Sequence, residues 1–293
     1  MTFLLLAILM NVAIFILFRM FPVYNVDRFQ AIVINYFVCV VTGVIFSGGP
    51  SAFESVSFDL PWIPYSLGLG FFFIGTFYAM ALTTEYFSIT VSSVASKISL
   101  AIPVLFALFI FDFGSKVFDI WNYVGLVLSI VAIILASQSQ PSEKHAGIRS
   151  YLFLPVIVFL LGGLLDTTIN YVNFKHLKPE DEAIFPIFIF MTAATIGSIV
   201  LIYRRSKLKL RNLVAGFVLG LVNYFSVYYI IKTLSYFQND GALVFPLLNM
   251  GIILGSMVLS FLFFAEKMSI RKGIAISIAI FSIYLISYQE LLG

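Results

Sequence analysis

Apolar runs of about 20 residues recur along the whole chain, each long enough to cross a bilayer as a helix. Ten spans follow from them: Phe3–Phe18, Phe29–Phe46, Trp62–Thr83, Ile89–Phe111, Trp121–Ala136, Tyr151–Tyr171, Ala183–Tyr203, Leu213–Leu234, Ala242–Phe264 and Gly273–Tyr288. The connections between them are short, the longest running from Ser47 to Pro61 and from Ser137 to Ser150. The second of these, SQSQPSEKHAGIRS, is polar enough to link two halves, 1–140 and 141–293. No segment is large enough for a soluble catalytic domain.

The halves resemble each other. Shifting the sequence by 150 positions aligns Leu69–Phe113 with Leu219–Phe263 and makes 10 of those 45 positions identical, Gly70/Gly220, Tyr78/Tyr228 and Val94/Val244 among them. A shift of 156 pairs Phe3, Leu4, Leu5 and Phe18 with Phe159, Leu160, Leu161 and Phe174. These matches point to a duplication. Five spans per half is an odd number, which forces the second half into the opposite orientation. The expected fold class is therefore an all-α polytopic membrane protein, ten transmembrane helices as two inverted five-helix repeats around a central cavity.

Composition agrees with that class. Of 293 residues 61% are hydrophobic and 11% charged, against about 25% charged in a soluble domain. The net charge of +3 is spread over short loops and implies no nucleic-acid partner. Cys39 is the single cysteine, which excludes an intramolecular disulfide and a zinc-ligand cluster. The first span lacks a basic leader and a small-residue cleavage pattern, so it reads as a retained helix. No cofactor and no metal are expected.

Candidate chemistry begins with Lys97, near the middle of the fourth span. A lysine there costs roughly 2.5–3.5 kcal/mol on insertion scales, so it should face protein or a water-filled cavity. Ser93 and Ser96 lie a turn before it, within a polar stripe. Asn11, Asn223 and Asn249 fall near the midplane of spans 1, 8 and 9. Span 6 carries Asp166, Asn170 and Asn173 at i, i+4 and i+7, with Gly162 a turn above. Asparagine amides both donate and accept, which suits a polar substrate, yet each could equally bond a neighbouring helix as polar glue. Tyr78 and Tyr228 could stack on a substrate or simply fill the bundle. Counted from the span centres, Lys97 and Asp166 differ in depth by roughly 12 Å, so a direct salt bridge is not expected. Asp166 is either a proton-binding carboxylate nearer one mouth or a residue at the wet end of span 6 beside Lys175 and His176. Pro103 and Pro246 are candidate bending points.

The segments GTFYAMALTTEYFSITVSSVASKISLAIPVLFALFIF and FPLLNMGIILGSMVLSFLFFAEKMSIRKGIAISIAIFSIYLIS, in a five-plus-five arrangement, resemble the drug/metabolite transporter (DMT) superfamily, EamA-like branch. Glu266 and Gly273 match that family's glutamate, short basic loop and helix-opening glycine. FDFGSKVFD (Phe111–Asp119) lacks the corresponding glutamate in the first half, and Lys97 departs from the family pattern. The resemblance implies a central cavity lined mainly by spans 1, 3, 4, 6, 8 and 9. It also implies both termini inside, whereas the basic residues argue the reverse: 12 Lys and Arg lie in the odd-numbered loops against three in the even ones. That count would place the odd loops in the cytoplasm, and it is the more direct observation.

The function expected from the sequence is a secondary transporter of a small polar or amphipathic metabolite, such as an amino acid, working by alternating access in a bacterial inner membrane. A small-molecule substrate and the lipid bilayer are its partners. With no Walker motif, a proton or sodium gradient or the substrate's own gradient must drive it. Lys97, Asn11, Ser93, Ser96, Asn223, Asn249, Asn170, Tyr78 and Tyr228 are the expected substrate residues, with Asp166 as proton-coupling candidate. The alternatives are a flippase for a lipid-linked head group, a membrane-embedded enzyme or a scaffold. An enzyme is disfavoured because both histidines, His145 and His176, lie in loops and no nucleophile–base spacing occurs.

Overall fold

A computed structural model describes residues 2–53, 56–102, 119–137, 151–178, 181, 184–237, 241–264 and 269–289. Among them the chain forms ten α-helices, one short 3-10 turn and no strand. The helices are α1 (Thr2–Val23), α2 (Arg28–Phe46), α3 (Ile63–Tyr86), α4 (Ile89–Ile98), α5 (Ile120–Ser137), α6 (Phe153–Lys175), α7 (Phe185–Tyr203), α8 (Leu210–Tyr236), α9 (Gly241–Phe264) and α10 (Ile270–Ile286). Each overlaps one expected span. Six of them, α1, α2, α3, α7, α8 and α9, are long and apolar enough to cross a membrane. This is a helical membrane protein.

Side chains that satisfy the first free N–H groups start several helices. Asp27 accepts from the Gln30 amide to begin α2, and Ser88 and Ser269 do the same for α4 and α10. Asp119 caps α5 through the Trp121 and Asn122 amides and accepts the Tyr288 hydroxyl, tying α5 to the end of α10. That hydroxyl, with the amides, holds the Asp119 carboxyl below its ordinary range.

Contacts between helix ends fix the directions. Arg19, late in α1, donates to the Thr84 and Glu85 carbonyls at the end of α3. At the same end Arg28, opening α2, pairs with Glu85. Tyr86 stacks on Tyr151, just before α6, with centroids 4.1 Å apart. At the far end Tyr65, near the start of α3, stacks on His176 at the close of α6. So α1 and α3 run parallel, and α6 runs against both.

The helix contacts also repeat when the halves are exchanged. α1 packs on α8 and α9, and α6 packs on α3 and α4; α2 packs on α8 and α7 on α3; α4–α9, α2–α7 and α5–α10 are their own counterparts. The largest buried cluster, with Phe15, Phe18, Tyr36 and Phe190, joins helices of both halves.

One expected span is interrupted. The helix carrying Lys97 ends at Ile98, and Ser99 and Leu100 form a turn. Pro103 has no N–H for the Ser99 carbonyl, and its ring would clash with that group in a continuous helix. The Ile102 amide takes the Ser99 carbonyl instead, at 2.9 Å. The expected stretch from 103 to 111 lies outside the described residues.

Candidate functional site at the break in α4

The break puts Lys97 in the last turn of α4. The final carbonyls of a helix lack partners and carry partial negative charge, so an ammonium placed there is stabilised. This offsets part of the cost of holding a lysine at membrane depth. Its Nζ donates to Asn11 Oδ1 at 3.4 Å, in the middle of α1. Asn11 is held in turn by its own amide, which donates to the Ala7 carbonyl at 2.9 Å. An ammonium has three donors, and this is the one protein acceptor Lys97 engages among the described residues. The side chain is half-buried.

Two residues further on, Ser99 Oγ lies 3.4 Å from Asp166 Oδ2 of α6. Close approach of α6 to the break makes this possible: a Cβ on Gly162 would lie 3.0 Å from Ser99 Oγ. Lys97 and Asp166 interact electrostatically but form no ion pair within 4.0 Å. Asp166 is exposed. It sits about 80° around α6 from the exposed apolar residue Val156 and about 120° from Leu160. An exposed carboxylate within a membrane helix is costly unless it faces protein or water, which makes Asp166 a candidate functional group.

The sequence underestimated this proximity. The expected sixth span stopped at Tyr171, but the helix runs on to Lys175. Its centre therefore shifts about three residues toward Asp166, and the expected depth gap narrows from roughly 12 Å to roughly 7 Å. Asp166 is not beside Lys175 and His176, which pack on Tyr171 instead. Ser99 was missed, although its place two residues after Lys97 and four before Pro103 marks it.

The other candidates divide. Ser96 is half-buried a residue before Lys97, and its carbonyl accepts from Ser99. Ser93 is fully buried and donates to the Thr90 carbonyl of its own helix at 3.0 Å. Asn249 is 7% exposed and has no protein hydrogen-bond partner among the described residues. It lies two residues before Gly251, which packs against Ile8 of α1. Asn223 is not brought to Lys97: its amide donates to Asn35 Oδ1 at 3.1 Å and to Cys39 Sγ at 3.5 Å, joining α8 to α2. Tyr78 packs edge-on against Phe29. Tyr228 belongs to an aromatic cluster with Phe46, Tyr224 and Phe225. Asn170 lies in α6, and its side chain is outside the described residues.

Chemically, the site offers a cation with unused donors, an amide, a hydroxyl and a separate carboxylate. The cation can take an anionic group, and the carboxylate can take a proton or a cation.

No family model matches the sequence. The chain is similar to an uncharacterized protein of Haemophilus influenzae, 26% identical over 294 residues that cover 97% of each protein. A solved structure, described only as the crystal structure of a protein, matches with a TM-score of 0.59 at 14% identity. The match covers 98% of this chain and 99% of that one, and it speaks for the fold alone.

Proposed function

We propose that this chain is a ten-span secondary transporter of the drug/metabolite transporter superfamily, EamA-like branch, residing in a bacterial inner membrane. It moves a small polar or amphipathic metabolite by alternating access. The carrying observation is Lys97 at the broken end of α4, with two donors unused among the described residues and the exposed carboxylate of Asp166 nearby but in no ion pair with them. Broken helices that present charge at mid-membrane are how secondary transporters build substrate sites. A scaffold would gain nothing from an unpaired charge there.

The antiparallel course of α1 and α6 and the exchange of contacts between halves support an inverted repeat, with the site at the repeat interface. In this reading Lys97 receives an anionic group of the substrate and Asn11 orients the ammonium. Asp166, held by Ser99, carries the coupling proton. Protonating Asp166 removes its pull on Lys97 and frees the ammonium for the substrate, which links the two events.

The test is ligand-dependent thermal stabilisation of purified protein, followed by uptake in proteoliposomes. Amino acids, nucleosides, sugar phosphates and organic cations would be compared on wild type and Lys97→Ala. At a hundredfold excess over Kd, a true ligand stabilises by about 2.7 kcal/mol. An anionic or zwitterionic compound should stabilise wild type and not the variant, and its uptake should fall at least about tenfold. Uptake unchanged in Lys97→Ala overturns the reading.

A further inference from the structure

A second site lies on the outside of the bundle. The loop between α7 and α8 reads RRSKLKLR, with Arg204, Arg205, Lys207, Lys209 and Arg211 within eight residues. All five are exposed, and none forms an ion pair with a described residue. Arg204 lies over the Phe29 ring at 5.0 Å, and the Lys207 carbonyl accepts from Gln30. The adjoining Asp27 carboxylate is occupied in capping α2. Arg205 has φ +49°, a left-handed conformation that L-residues other than Gly or Asn seldom adopt.

Directly below this loop an apolar groove runs between α2 and α8. It begins at Leu213 and Val214, in the first turns of α8, with a volume of about 340 Å³. Through Val38 and Phe217 it continues into a second stretch of about 600 Å³ reaching Phe225 and Phe46. From Leu213 to Phe225 the α8 wall is about 18 Å long at 1.5 Å per residue. That compares with the ~15 Å of hydrocarbon in one leaflet. The groove walls are exposed hydrophobics, including Phe37, Val41 and Phe217.

We infer that the α7–α8 loop and the α2–α8 groove form a binding site for an anionic phospholipid, its head group on Lys207, Lys209 and Arg211 and an acyl chain in the groove. Charge complementarity decides among occupants. A zwitterionic lipid would fill the groove but bring its own head-group cation against five others. A second copy of this chain would bring another basic loop against the first. Basic clusters at the end of a membrane helix attract acidic head groups, and here the tail channel begins one turn beneath them. The inference stands independently of the transport reading and of which side of the membrane the loop occupies.

The test is competitive lipid retention, measured by native mass spectrometry on intact protein with phosphatidylglycerol against phosphatidylcholine. Wild type should retain phosphatidylglycerol with at least about tenfold preference. The triple variant Lys207→Gln, Lys209→Gln, Arg211→Gln, whose changes are all on the surface, should lose that preference. Val41→Trp, which fills the groove, should lower retention of both lipids, with circular dichroism verifying its fold. Equal retention of the two lipids by wild type overturns the inference, as does a triple variant that keeps its preference. Inorganic phosphate that displaces phosphatidylglycerol from wild type as fully as the lipid itself would also overturn it, because the groove would then contribute nothing. A wild type that carries no lipid and dimerises through this face, with Val41→Trp monomeric, replaces the lipid with a second copy.

Discussion

The seam between α2 and α8 and the seam between α3 and α7 are counterparts when the halves are exchanged, yet they are held by different forces. Both rest on a glycine of α3 or α8 at matching positions. A Cβ on Gly220 would lie 2.7 Å from the Asn35 carbonyl, and one on Gly70 would lie 2.8 Å from the Ile189 carbonyl. Beyond that the seams diverge. Across α2–α8 run Asn212 to Gln30 at 2.6 Å, Asn223 to Asn35 at 3.1 Å and Cys39 to the Gly220 carbonyl at 3.4 Å. Both seams carry ring contacts, Phe46 against Phe225 in the first and Trp62 against Phe185 and Phe188, at 5.9 and 5.3 Å, in the second. No side-chain amide pair crosses α3–α7 among the described residues.

Amide pairs fix register, because a shift of one residue breaks every bond at once. Ring and methyl contacts fix shape but tolerate small sliding, since dispersion falls gradually with distance. Under the alternating-access proposal, the two halves rock against each other. The apolar seam is then the one expected to slip, with the amide-laced seam as the pivot.

The largest expected effect removes what the seams share. Gly220→Leu and Gly70→Leu each force a side chain into a backbone carbonyl, and each should cost about 3 kcal/mol or abolish folded protein. Detergent-purified yield and melting temperature check this. Equal losses would show that close approach is common to both seams, while a mild Gly70→Leu would mean that α3–α7 already yields to strain.

A middle effect separates them. Asn223→Ala strips Asn35 Oδ1 and Cys39 of their donor and should destabilise by about 1 kcal/mol, the scale of interhelical hydrogen bonds in membranes. A double-mutant cycle with Asn35→Ala should recover a coupling of about 0.6 kcal/mol or more. Thr192→Val on α7, whose hydroxyl donates to its own helix at Phe188, should change little. A cycle with no coupling would make Asn223 a free polar group, and its claim to line a cavity would return.

These contrasts also explain how far the sequence could be read. Ten helices were legible because each overlaps an apolar run, although the run at Ile89 is broken after Ile98 and six of the ten are long and apolar enough to cross a bilayer. Lys97 stood out because its insertion cost demands a partner, and the structure supplies Asn11. Asn223 was not legible as a seam residue, since a polar side chain at mid-depth looks the same whether it faces a cavity or Asn35. Tyr78 and Tyr228 met the same ambiguity and went to ring clusters. The nearness of Asp166 to Ser99 depended on where α6 ends. His176 and Lys175 look like loop residues by hydropathy, but helical hydrogen bonding carries on through Lys175.

The smallest expected effect concerns Trp62, buried at 0% exposure in the α3–α7 seam with no acceptor for its indole N–H among the described residues. An unsatisfied buried donor costs about 1–3 kcal/mol. Trp62→Phe removes that donor but leaves a gap beside Phe185 and Phe188, and the cavity term opposes the gain. The two should nearly cancel, leaving melting within about 1 kcal/mol of wild type. Trp62→Ala loses ring contacts on both sides with no comparable compensation and should fall by about 3 kcal/mol. If Trp62→Phe fell as far as Trp62→Ala, the indole would be holding register through its N–H. The α3–α7 seam would then be directional like its counterpart, and the assignment of pivot and slip plane would fail.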